Sequence, residues 1–186
     1  PIRKGLSSSA ALCVLIVRAF NRIYDLKMTI RAEMEYAYQG EITTPSRCGR
    51  MDQGCAFGNR PVLMTFDGDQ IDVREMNVDK DLHFVIVNLK AEKDTHVILK
   101  ELNNCFPYAD TDIQQNAQKY LGSINKNIVQ KGVDYFEAAD AKKIGALMTE
   151  AQAEFDKYLQ PACPSQLTAP VLHQVLGYEP IQSYIF

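Results

Sequence analysis

From residue 9 to about residue 25, apolar side chains recur at three- and four-residue steps. Leu12, Leu15, Ile16, Ala19, Phe20 and Ile23 form one stripe, which Val14 and Val17 widen. The spacing predicts a largely buried helix. Thr29 reads as the N-cap of a second helix, since Ala32, Glu33 and a run of helix formers follow, with an end near Gly40. Thr43, Thr44, Pro45 and Ser46 read as a loop, and residues 48–57 as a short third helix closed by Gly58. Val62 to Phe66 and Ile71 to Val73 flank Asp67-Gly68, a pattern that predicts a β-hairpin.

The pattern changes near residue 77, where a boundary between two subdomains is expected. His83-Phe84-Val85-Ile86-Val87-Asn88 predicts a buried strand, and residues 94–104 a helix. Further helices are expected over 112–130, 133–139 and 141–159, before Pro161 and Pro164 interrupt the pattern. Ser165 or Thr168 could cap a helix ending at Leu176, and residues 181–186 read as a strand. No repeat or low-complexity tract is visible.

Composition narrows the function classes. The chain has 186 residues, 46% hydrophobic and 23% charged, enough to bury a sizeable core. Its formal charge of −3 gives no electrostatic reason to expect nucleic acid or an anionic membrane as partner, so any phosphate must be held locally. The five cysteines are scattered without a CxxC, which argues against a disulfide framework or a zinc ribbon and for a reducing, cytoplasmic setting. Arg3 and Lys4 precede an apolar run, as in a signal peptide, but Arg18 interrupts it, and no stretch reaches the roughly 18 apolar residues of a membrane span. The sequence opens at Pro1 and stops after an apolar-rich tail, and both ends read as cut.

Chemistry concentrates in Pro1-Ile2-Arg3-Lys4-Gly5-Leu6-Ser7-Ser8-Ser9-Ala10-Ala11, which runs directly into the first helix. Gly5 permits a tight turn, and the helix start offers free backbone N–H groups and the positive end of the helix dipole, an anion site suited to phosphate. The serine hydroxyls could also reach a Mg2+ ion already bound to phosphate. The same three serines would equally serve as an ordinary N-cap, and the residues alone leave both uses open.

This segment resembles the second signature of the GHMP kinases, the superfamily of galactokinase, homoserine kinase, mevalonate kinase and phosphomevalonate kinase. Its Gly-Leu-Ser-Ser-Ser-Ala core is similar to the galactokinase form, and it is not a P-loop, because GxxxxGK[ST] is absent. Cys48-Gly49-Arg50-Met51-Asp52-Gln53-Gly54 resembles the galactokinase segment that carries the catalytic aspartate. The resemblance implies that Asp52 takes the proton from, or orients, the substrate hydroxyl. It implies that Lys4, Gly5, Leu6, Ser7, Ser8, Ser9 and Ala10 surround the ATP phosphates, and that Ser9 and Glu41 hold Mg2+. Glu41 lies 32 residues after Ser9, and its distance to Asp52 is one residue shorter than the family pattern. Phosphoryl transfer needs chiefly positioning, charge neutralisation and one carboxylate near the attacking hydroxyl, so this residue set suits it.

The implied fold class is α+β, a two-lobed GHMP kinase fold with an N-terminal lobe like ribosomal protein S5 and a helix-rich, ferredoxin-like C-terminal lobe, incomplete at both ends. Residues 1–76 would belong to the ATP-binding lobe and 77–186 to the C-terminal lobe. The family's first signature would precede Pro1 and its glycine-rich third would follow Phe186, so the expectation is the middle of a longer kinase. Asp81 to Lys90, Lys93-Asp94-Thr95 and Pro161-Ala162-Cys163-Pro164-Ser165 are similar to the glucuronokinase branch. The expected activity is ATP- and Mg2+-dependent phosphorylation of a hydroxyl on a small sugar or sugar acid, with no nucleic-acid or membrane partner and no indication of oligomeric state. The alternatives are a mevalonate- or homoserine-type kinase of the same superfamily, a silent sugar- and ATP-binding sensor, and a helical interaction module.

Overall fold

The stripe predicted over residues 9–25 forms α1, Ser8–Ile23, in a computed structural model that describes residues 6–44, 49–78 and 80–182. The chain divides into two compact units, Pro1–Asn77 and Val78–Phe186. α1 is not the largely buried helix expected. Only Ala10 and Val14 are buried, whereas Leu12, Leu15, Ile16, Phe20 and Ile23 are exposed. At about 100° per residue, Ala10, Val14 and Val17 share one side of the helix and Leu12, Ile16 and Ile23 the other. The helix has two apolar sides, and the described residues pack only against the first.

That first side meets α2, Ile30–Ile42, and a 3-10 helix, Asp52–Phe57. α2 begins as predicted, with the Thr29 hydroxyl accepting the Ala32 N–H, and runs two residues beyond Gly40. Its buried face carries Glu33, Met34, Ala37 and Glu41. Met34 and Ala37 join Val14, Ala56, Phe57 and Val73 in one core cluster. The 3-10 helix ends at Gly58, whose φ of 73° suits a residue without a side chain.

The hairpin forms from β1, Val62–Asp67, and β2, Gln70–Glu75, paired antiparallel from Val62↔Glu75 to Asp67↔Gln70. Its turn is Gly68-Asp69, and Gly68 alone of the two has positive φ, 57°. The operative turn pair is therefore shifted one residue from the Asp67-Gly68 expected, with glycine at its first central position. Gly54 lies against the Met64 side chain: a Cβ there would lie 2.0 Å from its terminal methyl, which would have to swing aside.

Buried Glu33 ties these pieces together. Its carboxylate accepts the Arg18 Nε–H at 2.8 Å and the Asn21 amide at 2.8 Å, while Arg18 Nη2 donates to the Ala56 carbonyl at 2.6 Å. One guanidinium thus joins α1 to both α2 and the 3-10 helix. Burial pushes the Glu33 carboxyl up, but the hydrogen bonds and charge of Arg18, with the Asn21 bond, hold it below the ordinary glutamate value.

The second unit is helical among its described residues. α3, Thr95–Asn103, is capped by Asp94, and α4, Asp112–Lys119, by a Thr111–Gln114 capping box. A π-helical turn, Tyr120–Ile124, joins α4 to α5, Asn125–Glu137, so the two helices expected over 112–139 form one run. α6, Ala141–Tyr158, starts at Asp140. Cys105, Ala117, Tyr120, Leu159, Cys163 and Leu167 form the core. Neither Ser165 nor Thr168 is the N-cap expected: the N-cap residues are Cys163 and Ala169, and Thr168 is the C-cap of the first of two short helices. The short helices α7, Pro164–Leu167, and α8, Pro170–Leu176, each have proline in the first turn, where a missing N–H costs nothing. Residues 181–182 fall in α9, Glu179–Gln182, in place of the terminal strand expected, and 183–186 lie outside the described residues.

The strand expected over 83–88 is also not formed. Residues 81–94 have no regular structure, and Val85 is 92% exposed. A strand needs a neighbour for its N–H and C=O groups, and no described strand of this unit supplies one. Phe84 instead stacks on Phe136 at 6.2 Å. No helix among the described residues is long and apolar enough to cross a membrane.

Because folding depresses the Glu33 value, its contact stabilises the first unit above the ordinary glutamate range, and that contribution is lost as pH falls through the folded value. Arg18→Met, which strands the buried carboxylate, is expected to cost about 3 kcal/mol at neutral pH. Urea denaturation should also show that the variant no longer gains stability as pH rises through the carboxylate range.

Candidate active site

The start of α1 departs from ordinary capping. Ser7 is the N-cap residue, yet it sits in the left-handed region, φ 50° and ψ 46°, and its side chain makes no capping hydrogen bond. A non-glycine residue there costs about 1–2 kcal/mol. The first-turn amides of Ser8, Ser9 and Ala10 precede the first intrahelical bond, in which the Ala11 N–H donates to the Ser7 carbonyl. Leu6 is exposed, Ser7 and Ser8 are half-buried, and Ala10 is fully buried. Lys4 and Gly5 of the expected phosphate loop, and Cys48 of the second motif, lie outside the described residues.

Ser9 and Glu41, 32 residues apart in sequence, meet directly. The exposed Ser9 donates its hydroxyl to Glu41 Oε1 at 2.5 Å. The other carboxylate oxygen, Oε2, accepts the side-chain amide of Gln53 at 2.6 Å. Glu41 is 3% exposed and Gln53 0%. The chain folds this way because α1, α2 and the 3-10 helix, which carry Ser9, Glu41 and Gln53, pack on one another, with Glu41 and Gln53 on buried faces and Ser9 at the exposed edge of the contact. Both donors to this buried carboxylate are neutral, and no ion pair reaches it among the described residues.

Two thiols register that negative charge. Burial pushes the Cys13 thiol up, and the charge of Glu41 adds to the effect. Burial likewise raises Cys55, with Asp52 raising it further, Arg18 opposing and Glu41 adding a smaller push. Asp52 and Glu41 therefore both lie within electrostatic reach of one thiol. Asp52 opens the 3-10 helix, half-buried, and its carboxylate has no hydrogen-bond donor or ion pair among the described residues. Its neighbour Arg50 is already engaged: it donates to the Asp69 carbonyl at 2.9 Å, pairs with Glu35 at 3.4 Å and lies 4.7 Å from the Tyr38 ring centroid. An open cleft of about 240 Å3 beside Arg50, lined also by Arg31, Glu35 and Asp69, contains none of Ser9, Glu41 or Asp52.

No group of three or more His, Cys, Asp or Glu side chains that could hold a metal ion occurs among the described residues. Ser9 and Glu41 offer two hard oxygens, which suits a Mg2+ ion shared with a nucleotide, since Mg2+ usually keeps waters and takes one or two carboxylates plus phosphate oxygens. Sequence reasoning passed over Gln53, although it lies inside the Met51-Asp52-Gln53 motif, and over the Arg18–Glu33 pair. A polar residue on the inward face of an otherwise apolar helix was the available signal for that pair.

A buried carboxylate without a cation is retained at a cost to stability. Glu41→Gln preserves the shape, and its new amide can donate back to the Ser9 hydroxyl, so the thermal midpoint should hold or rise. Ser9→Ala removes a charge-assisted donor and should cost about 1 kcal/mol. Differential scanning calorimetry that finds Glu41→Gln the more damaging change would contradict this account.

Residues 1–59 match the family described as GHMP kinases N terminal domain. A mevalonate kinase from Archaeoglobus fulgidus is 30% identical over 100 residues, which is 54% of this chain and 32% of that protein. The chain thus spans about a third of the length of this curated relative. No solved structure matches. The serine loop running into α1 and the Asp52 segment both fall within residues 1–59, the part of the chain that is similar to the GHMP kinases N terminal domain.

Proposed function

We propose that this chain is part of an ATP-dependent kinase that phosphorylates a hydroxyl of a small molecule, and that its two units belong to the ATP-binding and C-terminal lobes. The observation that carries the reading is the Ser9–Glu41–Gln53 network, next in sequence to an Asp52 whose carboxylate has no partner among the described residues. In this reading the amides of Ser8, Ser9 and Ala10, with Lys4 and Gly5, bind the ATP phosphates. Asp52 accepts or orients the proton of the acceptor hydroxyl as its oxygen bonds to the γ-phosphorus and the bond from that phosphorus to the β–γ bridging oxygen breaks, releasing ADP. Ser9 and Glu41 hold Mg2+, which would supply neutralisation of phosphate charge.

The galactokinase-like motif around Asp52 favours a sugar or sugar acid as acceptor. The likeness to a mevalonate kinase favours a second reading, an acceptor of the mevalonate type. A panel of galactose, glucuronate, arabinose, mevalonate and homoserine with the complete protein separates the two. ATP with Mg2+ at a hundredfold excess over its Kd should stabilise that protein by about 2.7 kcal/mol. Asp52→Asn should lower turnover by about a hundredfold or more while leaving nucleotide binding nearly intact. Binding without turnover on any acceptor would support a silent sensor instead, and no binding at all would defeat the kinase reading.

A further inference from the structure

We infer that Gln53 is a positioning residue that orients the Glu41 carboxylate for a divalent cation, a role that rests on the kinase reading above. The two oxygens of that carboxylate differ in what they face. Oε2 is bound by the amide of a fully buried residue, while Oε1 meets the hydroxyl of an exposed one. This division gives Oε2 to the protein and leaves Oε1, with the Ser9 hydroxyl, on the side a ligand can reach. The terminal torsion of a glutamate is broad and two-fold, so a carboxylate without an inner anchor would sample many orientations. The 2.6 Å contact from Gln53 removes that freedom.

The chemical type of the anchor matters as much as its place. Glu33, eight residues earlier on the same helix, is held by the Arg18 guanidinium, which orients the carboxylate and also neutralises it. A cation at the position of Gln53 would do the same to Glu41 and compete with any metal. A neutral amide fixes the plane of the carboxylate and leaves its charge uncancelled, as partners of metal ligands commonly do. The same side chain joins the first turn of the 3-10 helix to α2, so the residue after Asp52 is anchored to the residue that would hold the metal.

The test uses the complete protein that carries this chain, with Mn2+ and ADP as probes and electron paramagnetic resonance as the readout, independent of turnover. Gln53→Met keeps the volume without the donor, and Gln53→Asn keeps the amide but falls one methylene short. Each is expected to weaken Mn2+ binding about tenfold. In the background of Glu41→Gln, the added Gln53→Met change should have no further effect, because the residue acts through the carboxylate already removed. Unaltered Mn2+ affinity in both Gln53 variants, or additive losses in the double variant, would overturn the inference while leaving the kinase reading standing. A wild-type protein that binds Mn2+ with ADP no better than Glu41→Gln would overturn the metal role of Glu41 and this inference with it.

Discussion

Burying a carboxylate requires donors, and α2 buries two of them in different ways. Glu33 takes a guanidinium and an amide, and Glu41 takes a hydroxyl and an amide. Because neither could be left unpaired away from water, the elements that supply those donors have little freedom in where they sit. α1 must present both Ser9 and Arg18 to α2, about two and a half turns apart, and this fixes its rotation as well as its contact with α2. The same requirement ties the 3-10 helix that Asp52 opens to α1 and α2. Gln53 is called to Glu41, and the Ala56 carbonyl to Arg18.

The difference between the two carboxylates separates structure from chemistry. An ion pair such as Arg18–Glu33 neutralises itself, and its physical consequence is confined to packing and acid sensitivity. Glu41 has no cationic partner among the described residues, and its two hydrogen-bond donors are a hydroxyl and an amide. A fold under selection for stability alone would place an apolar side chain or a cation there. The strain at Ser7 points the same way, since a left-handed serine that caps nothing has no stabilising purpose in the helix it opens.

Local chemistry was legible in the sequence where it acted through near neighbours. The Thr29 cap, the glycine at position 58 and the hairpin around Gly68 all follow from residues within a few positions of one another. What failed depended on distant partners. Periodicity read α1 as one wide apolar stripe and could not say which part of it would find a neighbour, and the apolar run over 83–88 has strand composition without a strand beside it among the described residues. The prolines acted as read, since α6 ends at Tyr158 ahead of Pro161 and Pro164, and Pro164 and Pro170 also stand at the starts of the short helices α7 and α8. For the site, the motifs supplied Ser9, Glu41 and Asp52. The contact of Ser9 with Glu41 depends on how the elements pack, which spacing does not encode.

The 3-10 helix shows how a half-buried aspartate can be held in place without being bound. Two hydrogen bonds hold the turn, the Gln53 amide to Glu41 and the Arg18 bond to the Ala56 carbonyl, and Gly54 lies close to the Met64 side chain on β1. These contacts act on the first, fourth and second residues after Asp52, and none engages the Asp52 carboxylate itself. A base that must meet a proton on a substrate gains from this arrangement, because its backbone needs no reorganisation while its oxygens stay available. A purely structural aspartate at a helix start would be expected to use its oxygens on the amides of its own first turn. Asp52 makes no such bond among the described residues, and its position is set by everything around it except its own side chain.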